Sequence, residues 1–218
     1  MKTLSVRLLR RLIRVQFGLS LVTLVLTLDP TPARATTVIA PDFEHLVSGA
    51  DYVVRAVVKS VTSAYRDTPQ GKAIFTKVEL QVLETITGTP PSPLVLEMLG
   101  GTVDGRTMRV DGTPQFHVGD EDILFVQNNG RQFYPLVGIM NGKYPVKQDA
   151  QTGAKYVARS NGTPLFSATE VKSDMTSTAT AQSQHAGQAP LSPADFANQI
   201  RSMKNSQLNA PQKPPVAN

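Results

Sequence analysis

The stretch IFTKVELQVLETITG, residues 74–88, sets the tightest limit on what this chain can fold into. Val78, Leu80 and Val82 alternate with Lys77, Glu79 and Gln81, which is the period of a strand buried on one face and wet on the other. The preceding segment DYVVRAVVKSVTSAY (51–65), rich in Val and Tyr, predicts a long strand whose two faces are both largely apolar in the middle. Between them RDTPQGKA carries Pro and Gly and predicts a flexible hairpin connection.

The strand signals continue. LVLEML (94–99) is followed by Gly100-Gly101 and by TVDGRTMRV, where Asp104-Gly105 marks a tight hairpin. EDILFVQ (121–127) and QFYPLVG (132–138) predict two strands around the turn Asn128-Asn129-Gly130. GKYPVKQ and KYVAR predict a peripheral hairpin with Pro145 confined to an edge. Five or more strands at short spacing, with no interleaved helical pattern, predict a mostly β domain that is either a closed barrel or a sandwich, over residues 36–166. Its expected core holds Val54, Val58, Val78, Leu80, Val82, Leu96, Leu124, Phe125 and Val137.

Two helices frame that domain. PDFEHLVSGA (41–50) places Phe43, Leu46 and Val47 at helical spacing behind Pro41. LSPADFANQIRSM (191–203) offers Ser192 as N-cap, Pro193 at the first helical position and Asp195 for a capping box, with Leu191 able to staple onto Phe196. Its apolar stripe of Phe196, Ile200 and Met203 is expected to dock on its own domain, the alternative being a partner-binding helix over 191–204. Residues 167–190 are dominated by Ser, Thr, Ala and Gln and are expected to be a flexible linker; 205–218 are expected to be a disordered tail.

The first fourteen residues carry Lys2, Arg7, Arg10, Arg11 and Arg14, and VQFGLSLVTLVLTL (15–28) follows without a charge. This is the n-region and h-region of a signal peptide, with cleavage expected after Ala33-Arg34-Ala35; the alternative is an uncleaved amphipathic or membrane-anchoring helix. The apolar run is shorter than the ~18–20 residues of a membrane span, so no stable span is expected after processing. Without residues 1–35 the chain has 16 basic and 16 acidic residues. A net charge of zero gives no electrostatic footprint, so no nucleic-acid partner is expected; the leader itself predicts a secreted or periplasmic protein. It has no cysteine, which excludes thiol nucleophiles, disulfides and cysteine-based metal sites.

Chemistry-bearing motifs are sparse. His45, His117 and His185 show no i, i+4 spacing, and solvated or locally bonded histidines are expected rather than a metal site. Asp120-Glu121-Asp122 in GDEDILFV predicts a solvated turn, GIMNGKY (138–144) a turn rather than a phosphate loop, and no serine sits in a nucleophile elbow. Asn161-Gly162-Thr163 has the form of a glycosylation acceptor. No enzyme, cofactor or resident metal is expected.

ADYVVRAVVKSV, then FTKVELQVLETITG, LVLEMLGG and FHVGDEDILFVQ, in that order, resembles the netrin-like module, best known as the inhibitory domain of the tissue inhibitors of metalloproteinases. The likeness spans roughly residues 36–138 and includes the Ala50-Asp51 pair, Arg55, the Gly88-Thr89-Pro90 turn and the Val118-Gly119 turn. It implies an OB-type Greek-key barrel, so that with the strands and helices read above the expected fold is a five- to six-stranded barrel of that type with a short N-terminal helix and a C-terminal helix. It also implies a non-enzymatic module that binds another extracellular or periplasmic protein, a secreted zinc protease in the sharpest form. The alternative is a structural or envelope-associated domain that attaches through its C-terminal helix and tail. In that family the amine and carbonyl of the first residue chelate the protease zinc and the second side chain enters the specificity pocket. Here those places fall to Thr36 and Thr37, followed by Val38, if processing leaves Thr36 first. The competing expectation for these three residues is an ordinary frayed terminus, since the family's disulfides are absent.

Overall fold

A computed structural model of the chain describes residues 40–172, 185 and 187–210. Helix α1 (Phe43–Gly49) precedes the strands β1 (Tyr52–Thr68), β2 (Gly71–Thr87), β3 (Leu94–Leu99), β4 (Gly101–Val103), β5 (Arg106–Met108), β6 (Glu121–Val126), β7 (Lys143–Gln148) and β8 (Lys155–Val157), and helix α2 (Pro193–Asn209) follows them. Six strands form one antiparallel sheet in the order β3-β2-β1-β6-β7-β8, and β4-β5 make a separate two-stranded flap. The fold is therefore mostly β.

The sheet is buried on both faces, which is why β1 is apolar on both sides near its start. On one face Val54, Ala56 and Val58 pack with Val78, Leu80, Leu96, Leu124 and Val126. On the other, Val53, Ile86, Ile123 and Phe125 pack with Leu46 and Val47 of α1 and with Phe196 and Ile200 of α2. Register shifts in the β1–β2 ladder at Val53/Val54, Arg55/Ala56 and Val58/Ser60 are bulges of the kind that bend and twist a sheet. The nine expected core residues lie in this interior, Val82 half-buried and the others buried.

Helix α2 starts at its expected cap, Ser192, and α1 starts just after Pro41 with Asp42 as its cap. Asp42 accepts the amide of His45 at 2.8 Å, and Ser192 accepts that of Asp195 at 3.1 Å. The α2 stripe docks on its own domain, with Phe196 and Ile200 fully buried. The Asp104-Gly105 hairpin forms as expected, both residues at positive φ, joining β4 to β5.

Several expectations are corrected. The β1–β2 connection is no flexible loop: the ladder runs to Thr68↔Gly71, leaving only Pro69 and Gln70 as the turn. Residues 132–138 are no strand; they make one bridge, Val126↔Leu136, because turns and the amide-less Pro135 interrupt them. The expected closed barrel is consequently not closed by strand pairing, and β3 and β8 are sheet edges. Segment 127–137 nevertheless bonds to both sides of the gap: Leu99 N to Phe133 O (3.1 Å) and Asn129 Nδ2 to Val95 O (2.9 Å) on β3, Val137 N to Phe125 O (3.0 Å) on β6.

Pro145 is not on an edge. It sits where β7 passes from pairing with β6 to pairing with β8, facing Asp122 on one side, and its carbonyl accepts the amide of Ala158. Nor is that hairpin peripheral, since Tyr144 and Val157 belong to the core. The expected linker begins with a 3-10 turn, Ala168–Lys172, whose Ala168 and Val171 are buried; residues 173–184 lie outside the described residues. Helix α2 runs five residues past its expected end, and Gln207 Nε2 donates to Glu44 O at 2.9 Å, so the start of the expected tail is helical. Residues 211–218 lie outside the described residues.

Candidate functional site

The distal half of the β1–β2 hairpin reaches beyond β6, and the β4–β5 flap folds back against its face. Two glycines permit that approach. Gly100 and Gly101 have φ of +104° and +133°, and a Cβ on Gly101 would lie 2.3 Å from Thr76 Oγ1 and 2.4 Å from Ser63 Oγ. Thr76 Oγ1 donates to Gly100 O at 2.6 Å, and Gly100 N donates to Ile74 O at 2.8 Å, pinning the start of the flap to β2.

Between stem, flap and the 113–116 segment lies a cleft of about 300 Å³. Its apolar lining comes from Val61, Val78, Met98, Met108 and Phe116; its hydroxyls are Ser63, Thr76, Thr102, Thr107 and Thr113, and Arg109 is its one charged residue. The hydroxyls bond to one another or to the backbone: Ser63 to Thr76 (2.8 Å), Thr102 to Thr107 (2.9 Å), Thr113 to Val110 O (2.8 Å). Cleft, flap and Arg109 were not legible in the sequence as a site, because they come together only through the fold-back at Gly100-Gly101.

A buried ionic cluster holds the cleft wall in place. Lys143 Nζ donates to Gln115 O at 2.5 Å and lies 4.5 Å from the centre of the Phe116 ring. Its side chain is 8% exposed and stands 3.5 Å from Asp122, 1% exposed, and 3.9 Å from Asp120. Neither Asp122 oxygen has a hydrogen bond of ordinary length, and Lys143 at 3.5 Å is the donor nearest to hand. Burial pushes the Asp122 carboxyl up to about 6; Lys143 pulls the other way and Asp120 reinforces the rise. Glu121, on the opposite face, bonds to Arg55 and Lys155, both at 2.6 Å. Burial raises its pKa, but the hydrogen bonds from Lys155 and Arg55 and their charges outweigh this and hold the carboxyl below its ordinary value.

The three acids are thus not the solvated turn that the sequence predicts. Strand β6 starts at Glu121, so Asp122 falls on the same face as Leu124 and Val126. Both that alternation and the strand start at Glu121 were legible in EDILFVQ; the partner that lies against Asp122 was not. Lys143, at the start of β7 after the 3-10 turn Ile139–Gly142, is the partner that sequence reading missed.

His45 and His117 bond locally, and His185 packs against the segment that holds Phe166 and Glu170. His45 Nδ1 meets Asp42 at 2.7 Å, His117 Nδ1 meets Asp120 at 3.2 Å, and the His185 ring stacks on Phe166 at 4.2 Å while its Nε2 meets Glu170 at 3.2 Å. Among the described residues no three His, Asp or Glu side chains are grouped to hold a metal ion, and no helix is long and apolar enough to cross a membrane. Thr36, Thr37 and Val38 lie outside the described residues. Asp51, of the Ala50-Asp51 pair, accepts the amide of Asn128 at 2.7 Å and so ties the start of β1 to segment 127–137. Compared with known proteins, the chain matches no family model and no curated protein.

Proposed function

We propose that the protein is an exported, non-enzymatic module that binds another protein, and that a segment of that partner enters the cleft between the β1–β2 stem and the β4–β5 flap. The observation that carries this reading is the cleft itself. It has a size suited to a few side chains, a lining of apolar groups interspersed with hydroxyls, and a wall braced by a buried lysine. Its hydroxyls are bonded to one another or to the backbone, and none of the described histidines bonds to one, which fits binding better than nucleophilic catalysis. The reading includes an OB-type barrel in which segment 127–137 stands in for the closing strand, supported by its bonds to β3 and to β6. Attachment through α2 is less favoured as an alternative, because Phe196, Ala197 and Ile200 are consumed in the protein's own core.

The test is to immobilise the protein and identify what it captures from the culture fluid of its own source. Thr107→Arg, which puts a long charged side chain into the cleft from an exposed flap position, should abolish capture without changing the melting temperature; Gln151→Arg, in the remote β7–β8 turn, should not. Equal capture by both variants would remove the cleft from the reading. The sharper form, inhibition of a secreted zinc protease by the amine of Thr36, is tested with protein beginning at Thr36 against a form with one extra Ala in front. Inhibition by the first alone supports it, and equal potency excludes it.

A further inference from the structure

The outer edge of β1 is open over half its length. Strand β6 pairs with Tyr52–Val57 only, and Val58 closes the ladder by accepting from Gly119 N and donating to Asp120 O, both at 2.9 Å. From Lys59 to Thr68 the strand has β2 on one side, and among the described residues no backbone hydrogen bond reaches its other side. Alternate residues of an antiparallel strand turn their N–H and C=O to opposite sides, so about half of this stretch offers unpaired donors and acceptors. The devices that protect edges lie only at its limits: a bulge at Val58/Ser60 and Pro69 in the turn, with an unshifted ladder from Ser60 to Thr68 between them. The flap approaches this strand on the face that carries the Ser63 side chain, and shares the cleft there with Val61 and Ser63.

We propose that this edge pairs antiparallel with the same edge of a second copy of the chain, about a two-fold axis at Ser63. The side chains pick out that register. Centred on Ser63, it sets Lys59 opposite the second copy's Asp67 and Val61 opposite its Tyr65, and symmetry repeats each pair on the other side. Lys59 and Asp67 are exposed, and among the described residues neither forms an ion pair within the chain. Val61 and Tyr65 are 37% and 41% exposed, two of the few large apolar side chains left in solvent. Shifting the register by two residues puts Asp67 against Val61 or Ser63 against Val61, and loses both complementary pairs. An isologous contact of this kind closes on itself and uses up this stretch of β1 in both copies. It shares Val61 and Ser63 with the cleft, but Lys59 and Asp67 lie outside the cleft lining, so charge reversal at those two residues tests it separately from the binding reading.

Sedimentation equilibrium of the purified chain over a wide concentration range should show a monomer–dimer equilibrium. Lys59→Glu opposes two acids at both ends of the contact, and Asp67→Lys opposes two lysines; each should weaken association roughly tenfold or more, since attraction becomes repulsion twice. Lys59→Glu with Asp67→Lys in one chain restores opposite charges and should restore the dimer. An equimolar mixture of the two single variants should form a heterodimer although neither associates with itself. Circular dichroism confirms that the variants, both at exposed sites, are folded. A wild-type chain that stays monomeric throughout, or a dimer indifferent to both charge reversals, would overturn the proposal.

Discussion

Asp122 is the residue whose environment departs furthest from the one its type prefers. Its carboxyl is almost out of water, has no hydrogen bond of ordinary length, and faces the Lys143 ammonium at 3.5 Å. Because burial raises its pKa from 3.8 to about 6, the folded protein holds this proton more tightly than the unfolded chain does. Its contribution to stability is therefore present in full below pH 3.8 and is lost as pH rises through about 6. Holding the proton up to about pH 6 rather than 3.8 corresponds to about 3 kcal/mol. Asp122→Asn keeps the shape and removes the charge, so urea unfolding should find the variant more stable than wild type by up to that amount at about pH 7.5 and nearly equal near pH 3.5. A difference that does not change with pH would mean that Asp122 keeps one protonation state throughout.

At the scale of elements, α2 behaves as part of the domain. The Phe196 ring sits 5.2 Å from Tyr144, 6.0 Å from Phe43 and 6.2 Å from Phe125, joining both helices to β6 and β7. Arg201 pairs with Glu84 of β2 further along the same helix. Phe196→Ala should cost ~3–5 kcal/mol, the range for truncating a fully buried aromatic side chain. A loss below ~1 kcal/mol in urea unfolding would show that the helix is undocked in solution.

For the molecule as a whole, a sheet apolar on both faces needs a cover for each. The face carrying Val54 and Leu124 packs with Phe116 and Leu136 from the connecting segments, whereas that carrying Ile123 and Phe125 is covered by the two helices. A chain ended after residue 190 should therefore lose cooperative thermal unfolding and bind a hydrophobic dye such as ANS, as packing is lost while strands persist. Cooperative melting at the wild-type temperature would show that the sheet folds without α2.

The sequence by itself determined what depends on local order. The alternation of 74–88 placed Val78 and Leu80 in the interior; Asp104-Gly105 made its hairpin; Ser192 and Pro193 started α2 where capping chemistry requires. Each of these rests on residues within a few positions of one another, where period and turn chemistry act directly. The tertiary structure alone decided that 132–138 does not become a strand, that Pro145 lies inside the sheet, and that α2 continues to Asn209 once Gln207 reaches Glu44. It also decided that Asp122 and Lys143 are buried together and that Gly101 carries a flap over Ser63 and Thr76. All of these depend on which strand lies beside which, and neighbours distant in the chain are set by the packing of the whole sheet rather than by any window of sequence.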